Sequence, residues 1–277
     1  MADDRVGRGA HPFALASGQR PRTVPEPARA SAEGGTSLSA QRVAVMARLG
    51  PLRPDVLEAI RAGRGREFQR LELMGDSVLE VVMHAHALLA GPGCPHCHGR
   101  ADRFTTDTHL SALAREIELG SWLDRQPAAH RLGDLVEACV GAVWVSSRWP
   151  GVVGFVATTL HPLAVEEQRT LLHGGGRLHP ECPARGREIA GAAILEAAAS
   201  TGAYLRHPEG DEGDLSRIKA RMLGREHVLS RCRESKWVRR TLRRRHFVRD
   251  DVERALAEDL LAHGLASAIT IAWPLVT

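Results

Sequence analysis

Glu72 and Asp76 stand four residues apart, and Asp134 and Glu137 three apart, each pair inside a mainly apolar stretch. On an α-helix both spacings bring the two carboxylates to one face. Two such helices packed together would assemble four carboxylates into an all-oxygen site of the kind that holds Mg²⁺ or Mn²⁺. Burying charge on helices this apolar is costly unless the charge binds something. Either pair alone also fits solvated acids on an amphipathic helix, so only the two together point to a metal.

The helices that must carry them read Phe68-Gln-Arg-Leu-Glu-Leu-Met-Gly-Asp-Ser-Val-Leu-Glu80 and Leu132-Gly-Asp-Leu-Val-Glu-Ala-Cys-Val-Gly-Ala-Val-Trp144. The first resembles the signature helix of the ribonuclease III family. The second resembles that family's second acidic helix, in which Asp and Glu three apart precede Ala and then Gly-Ala. Between them, Thr106 to Leu119 is similar to the family's intervening helix, so order and separation also match. Gln69 stands where many bacterial members carry Glu and is similar to the Dicer-like branch; Leu73 and Met74 are volume-tolerant apolar replacements.

The resemblance implies an all-α fold and a divalent-metal-dependent endoribonuclease that hydrolyses double-stranded RNA. It makes Glu72, Asp76, Asp134 and Glu137 the catalytic residues and the ligands of Mg²⁺ or Mn²⁺. Phosphodiester hydrolysis needs an activated water, charge neutralisation at phosphorus and a stabilised leaving oxygen, all of which such a metal supplies. The rival reading is a non-catalytic RNA-binding or ribonucleoprotein scaffold, a use that ribonuclease III-like folds find in mitochondrial ribosomes. A scaffold has no need of four ligands.

An internal repeat is expected. With Gly191 set on Gly75, Glu188 falls on Glu72, while Ala192 replaces Asp76. Residues Asp211 to Leu223 resemble the family's segment after the signature helix. Near the end, with Gly264 set on Gly141, Ala257 and Leu260 take the places of Asp134 and Glu137, so three of four ligands are lost; a shift restores one acid through Glu258. The expected organisation is a disordered tail over 1–37, a catalytic ribonuclease III-like domain over 38–168, a linker over 169–180 and a degenerate copy over 181–277. The two copies would pair within one chain as a pseudo-dimer, with a homodimer through the catalytic domain as the other assembly. Gly151 to Ala164 is expected to close the first domain as its last helix.

Between Arg231 and Arg249 the chain carries nine Lys or Arg and one Glu, with Trp237 and Phe247 interleaved. Such a run suits backbone phosphates and gives salt-dependent, sequence-independent affinity, although a solvated helix face has the same composition. Arg239, Arg240, Arg243, Arg244 and Arg245, with Lys219 and Arg221, are the expected RNA contacts. Cys94-Pro-His-Cys97-His98 matches a haem c attachment pattern, but no export signal or distal ligand accompanies it. Zinc held by Cys94, Cys97 and His98, with His96 or His109 as alternatives, is the other reading of that segment.

The 277 residues carry 43% hydrophobic and 4% aromatic side chains, which fits helical cores of Leu, Val and Ala. A net charge of +4 permits a polyanionic partner without demanding one. No apolar run is expected to reach across a bilayer, and the start lacks the pattern of a secretory signal. Five cysteines, an odd number, argue against a disulfide framework, so a cytoplasmic location without membrane association is expected.

Overall fold

The computed structural model describes residues 47, 49–90, 104–124, 131–177, 184–243 and 246–277. The tail over 1–37, the Cys94–His98 segment, Arg244 and Arg245 lie outside the described residues. Among those described, every regular element is a helix. In chain order these are α1 (Pro54–Ala62), α2 (Arg66–Ala90), α3 (Asp107–Glu116), a short 3₁₀ turn (Leu119–Trp122), α4 (Leu132–Phe155) and α5 (Val165–His173). They are followed by α6 (Ala184–Arg206), α7 (Glu212–Met222), α8 (Arg225–Glu234), α9 (Lys236–Leu242), α10 (Arg249–His263) and α11 (Leu265–Val276).

Local chemistry sets many of the ends. Pro54 opens α1, and Gly63 closes it in the left-handed region, at φ 61°. Thr106 caps α3 by accepting the His109 N–H at 3.3 Å, and Asp211 caps α7 by accepting the Asp214 N–H at 2.8 Å.

The expected signature helix lies in the first half of α2, which packs along α4 on one side and α6 on another. Leu71, Met74, Val78, Val81 and Val82 are all buried, as befits a helix covered on more than one face. In the second half α6 packs in turn on α10 and α11, with α7 at its side.

Two expectations need correction, and a third is met in part. The closing helix foreseen from Gly151 is met as far as Leu160: α4 is broken where Arg148 takes φ 57° and ψ −157°, and a separate helical arm follows the break. The Arg148 guanidinium lies over the Trp144 ring at 4.4 Å, and Pro150, which cannot donate, follows the bend. Counted across that break, Leu132–Leu160 is 29 residues long and by length and composition alone apolar enough to cross a bilayer, contrary to the expectation from sequence. Here it is a core helix, with Val136, Val140, Val143 and Trp144 buried.

The expected linker is also more structured than foreseen, because α5 runs through residue 168 to His173. After it, Gly174, Gly175 and Gly176 lie against the end of α10. The Gly175 and Gly176 N–H groups donate to the carbonyls of Ala262 and Leu261 at 3.1 and 3.0 Å. A Cβ on Gly174 would stand 2.2 Å from the Ala262 oxygen, so a side chain cannot be accommodated.

Candidate active site

Two glycines fix the register of the acidic helices. A Cβ on Gly75 would stand 1.8 Å from the Glu137 carbonyl oxygen, and one on Gly141 would stand 2.1 Å from that of Leu71. Only glycine lets the α2 and α4 backbones approach so closely. This contact sets the Glu72–Asp76 face of α2 beside the Asp134–Glu137 face of α4.

The carboxylates feel one another. Glu137 is 9% exposed, and burial, then the charges of Asp76, Glu72, Asp107 and Asp134, push its carboxyl up to about 9. Burial and then Asp134, Glu212 and Asp76 raise Glu72 to about 7, with Arg131 opposing. Burial also raises Asp76, against the pull of Lys219. None of the four sequence-predicted acids is in an ion pair with another described residue. Among the described residues no three His, Cys, Asp or Glu side chains converge closely enough to hold a metal ion. The four acids are thus gathered and mutually repelling, but not drawn to chelating distance. An all-oxygen donor set in this electrostatic state fits a hard divalent cation, whose charge would relieve the repulsion.

Sequence reasoning missed two carboxylates and misread one amine. Asp107, the first residue of α3, acts on Glu137 and Asp76; its only sequence signal was its place after the Thr106 cap. Glu212, the first residue of α7, acts on Glu72. Lys219, expected to contact RNA, is engaged within the protein. Its Nζ lies 2.5 Å from Glu196 Oε1 and donates to Ser77 Oγ at 3.1 Å, with 14% of the side chain exposed.

The second acidic helix is in a different register from the one expected. A Cβ on Gly191 would stand 1.9 Å from the Glu253 carbonyl oxygen, repeating the contact of Gly75 with Glu137. One offset therefore carries Gly75 to Gly191 and Glu137 to Glu253. By the same offset Glu188 matches Glu72, Asp250 matches Asp134, and Ala192 replaces Asp76. Three acids are retained and one is lost. The alignment of Gly264 on Gly141 fails because Gly264 ends α10 at φ 86°, whereas Gly141 lies inside a helix. Gly264 is needed for its backbone conformation and for its proximity to the Leu172 carbonyl, 2.7 Å from a Cβ built there.

Of the expected RNA contacts, Arg239 and Arg240 are exposed on α9, Arg243 is exposed just after it, and Arg221 is exposed on α7. The two ends of the basic run are engaged internally. Arg231 donates to the Thr277 carbonyl at 3.0 Å, and Arg249 donates to Glu253 at 2.6 Å. Apart from these, His86 Nε2 and His161 Nε2 stand 3.2 Å apart, with Glu167 Oε1 3.4 Å from His86 Nδ1.

No protein-family model matches the chain. Ribonuclease 3 of Chlorobaculum tepidum is 32% identical over 107 residues, covering 35% of this chain and 39% of that protein. Ribonuclease 3 of Borreliella afzelii is 32% identical over 90 residues, covering 28% and 37%. The chain thus spans well under half the length of these curated relatives. Taken with two acidic helices locked at a glycine contact in an all-helical fold, these matches relate the chain to the ribonuclease III family.

Proposed function

We propose that this protein is a divalent-metal-dependent endoribonuclease that cuts double-stranded RNA. The observation that carries the reading is the mutually repelling set of buried Glu137 with half-buried Glu72, Asp76 and Asp134, held beside one another by the Gly75 and Gly141 contacts. Mg²⁺ or Mn²⁺ held there would neutralise charge at phosphorus and make water a stronger nucleophile. The chain's own part is to place the four acids and to keep Glu137 shielded from solvent. Lys219 helps keep Asp76 ionised for that role.

In this reading residues 38–168 form the catalytic half and residues 181–277 the second half, paired within one chain. The contact of α2 with α6 favours this arrangement over a homodimer through the catalytic half, since α6 covers that part of α2. One complete quartet per chain means that each binding event cuts one strand of the duplex. Arg239, Arg240 and Arg243 are the proposed phosphate contacts, and their exposure supports the assignment.

The test is cleavage of a perfect RNA duplex, labelled on each strand in turn, with Mg²⁺ and with chelator. Wild-type protein should cut only with metal, and native gels should show nicked duplex. Asp76→Asn and Glu137→Gln should lower the rate by orders of magnitude while the fold is retained. Metal-independent cleavage, or full-rate cleavage by either variant, would defeat the assignment. Duplex binding without cleavage in any divalent metal would favour the scaffold reading.

A further inference from the structure

The acids retained in the second half differ from those of the first in what surrounds them. At the α6–α10 contact, Arg249 Nε donates to Glu253 Oε1 at 2.6 Å, and its Nη1 donates to the Leu223 carbonyl at 3.1 Å. Arg254 Nη1 donates to Glu188 Oε1 at 3.0 Å and its Nη2 to Asp251 Oδ1 at 2.6 Å. The side chains of Glu188, Asp251 and Glu253 are 13%, 15% and 9% exposed, so the acid ends of these pairs are largely shielded from water while the two arginines are half-buried. Asp250 is exposed and completes the acidic group.

The offset that relates the halves puts Arg249 on Gly133 and Arg254 on Ala138. Neither position in the first half carries a cation. At Gly133 a Cβ would stand 3.2 Å from the Asp107 Cα, tighter than an ordinary contact, so that any side chain there needs the neighbouring backbone to give. The first centre is therefore built without an internal positive charge at the two positions where the second has one. A guanidinium stays charged at any pH a folded protein meets and offers donors matched to carboxylates. A divalent cation would have to displace these two groups, and the exposed Arg185 that also reaches Glu188 Oε2 at 3.5 Å, and would find Ala192 in place of a fourth ligand.

We infer that Arg249 and Arg254 hold the second acid cluster in a charge-satisfied state that excludes divalent cations, leaving one metal centre per chain. This rests on the reading of the first quartet as a metal site. The loss of Asp at position 192 and the gain of two arginines are separate blocks. Restoring the acid alone, by Ala192→Asp, will not restore binding.

The experiment is Mn²⁺ binding by the full chain, followed by electron paramagnetic resonance and calorimetry, with circular dichroism to check the fold. Wild-type protein should bind Mn²⁺, and Asp76→Asn/Glu137→Gln, which preserves shape, should abolish the binding. In that background Ala192→Asp should remain inert, whereas Ala192→Asp/Arg249→Gly/Arg254→Ala should gain a Mn²⁺ site. Residual Mn²⁺ in the Asp76→Asn/Glu137→Gln protein that is removed by Glu188→Gln/Glu253→Gln would overturn the inference; this arm does not depend on the multiple variant folding. Gain of a site by Ala192→Asp alone would also overturn it. Failure of the wild-type chain to bind Mn²⁺ would instead defeat the reading of the first quartet.

Discussion

Arg70, on α2, donates to the backbone carbonyl of Tyr204, in the last turn of α6, at 3.0 Å. The same guanidinium reaches the carbonyls of His207 and Gly210 at 2.6 and 2.8 Å and lies over the Tyr204 ring at 4.7 Å. The Tyr204 hydroxyl donates to Glu67 Oε1 at 2.6 Å, so the ends of the two helices are joined in both directions. Arg70 is only 3% exposed. Replacing it by Met should cost about 3–5 kcal/mol, because three part-buried carbonyls lose their donor and Glu67 loses its ion-pair partner at 2.9 Å. Tyr204→Phe, which removes one hydrogen bond to a carboxylate, should cost about 1.5–3 kcal/mol. Urea denaturation measures both; an Arg70→Met protein as stable as wild type would mean that the clamp contributes nothing.

The close approach of α2 to α4 makes Gly75 irreplaceable. Gly75→Ala sets a methyl group 1.8 Å from a backbone oxygen, which neither helix can yield to locally. The expected outcome is a protein that is insoluble or destabilised by more than about 4 kcal/mol, the range of severe core disruption. Gly154 provides the control: a Cβ there meets nothing within 4 Å. Gly154→Ala should be neutral or should stabilise by about 0.5–1 kcal/mol, as for a glycine removed from a helix. Melting temperatures of the two variants decide the matter.

The raised carboxyls of Glu72 and Glu137 give stability a definite pH dependence in the absence of divalent metal. Unfolded, both groups ionise near 4.5; folded, they retain their protons up to about 7 and about 9. Between these limits the folded state binds more protons, so stability is fullest below pH 4.5 and falls as pH rises towards 9. Denaturation in chelator across this range should show the decline, with other titrating groups superimposed. Glu137→Gln should flatten its upper part, and Mg²⁺ should reverse it in wild type but less so in the variant. Equal stability of wild type and Glu137→Gln across pH 6–9 would remove the electrostatic argument.

Arg239, Arg240 and Arg243 should behave differently from Arg231 and Arg249, although all five belong to one basic run. Replacing the three exposed residues by Ala should weaken binding of unrelated duplexes alike. It should also reduce the slope of log affinity against log salt by up to about 0.9 for each phosphate that is no longer neutralised. Replacing Arg231 or Arg249 should lower stability, since each is bonded within the protein. An unchanged salt slope in the triple variant would mean that this surface faces solvent alone.

The helices, and the positions of the four acids on them, were legible because the signal is local. Apolar periodicity surrounds Glu72 and Asp76, and small residues mark where α2 and α4 meet. Asp107 and Glu212 were not legible as neighbours of the site, since loops and packing bring them there. The second acidic helix was misplaced because the glycine most like Gly141 in sequence, Gly264, is a helix terminator. The true counterpart of Gly141 is Ala257. The role of Lys219 was missed because its partners, Glu196 and Ser77, lie on other helices.

The contrast of Gly133 and Ala138 with Arg249 and Arg254 has a consequence for how a duplex would be read. The backbone of double-stranded RNA looks nearly the same when turned end for end, and a protein with two equal halves cannot tell the two poses apart. A protein with an uncompensated acidic centre in one half and a neutralised one in the other lacks that two-fold symmetry. On such a surface the direction in which the duplex lies decides which strand meets the acids. Orientation then becomes a choice of strand, which any feature that biases docking, such as a loop, bulge or end of the RNA, can set.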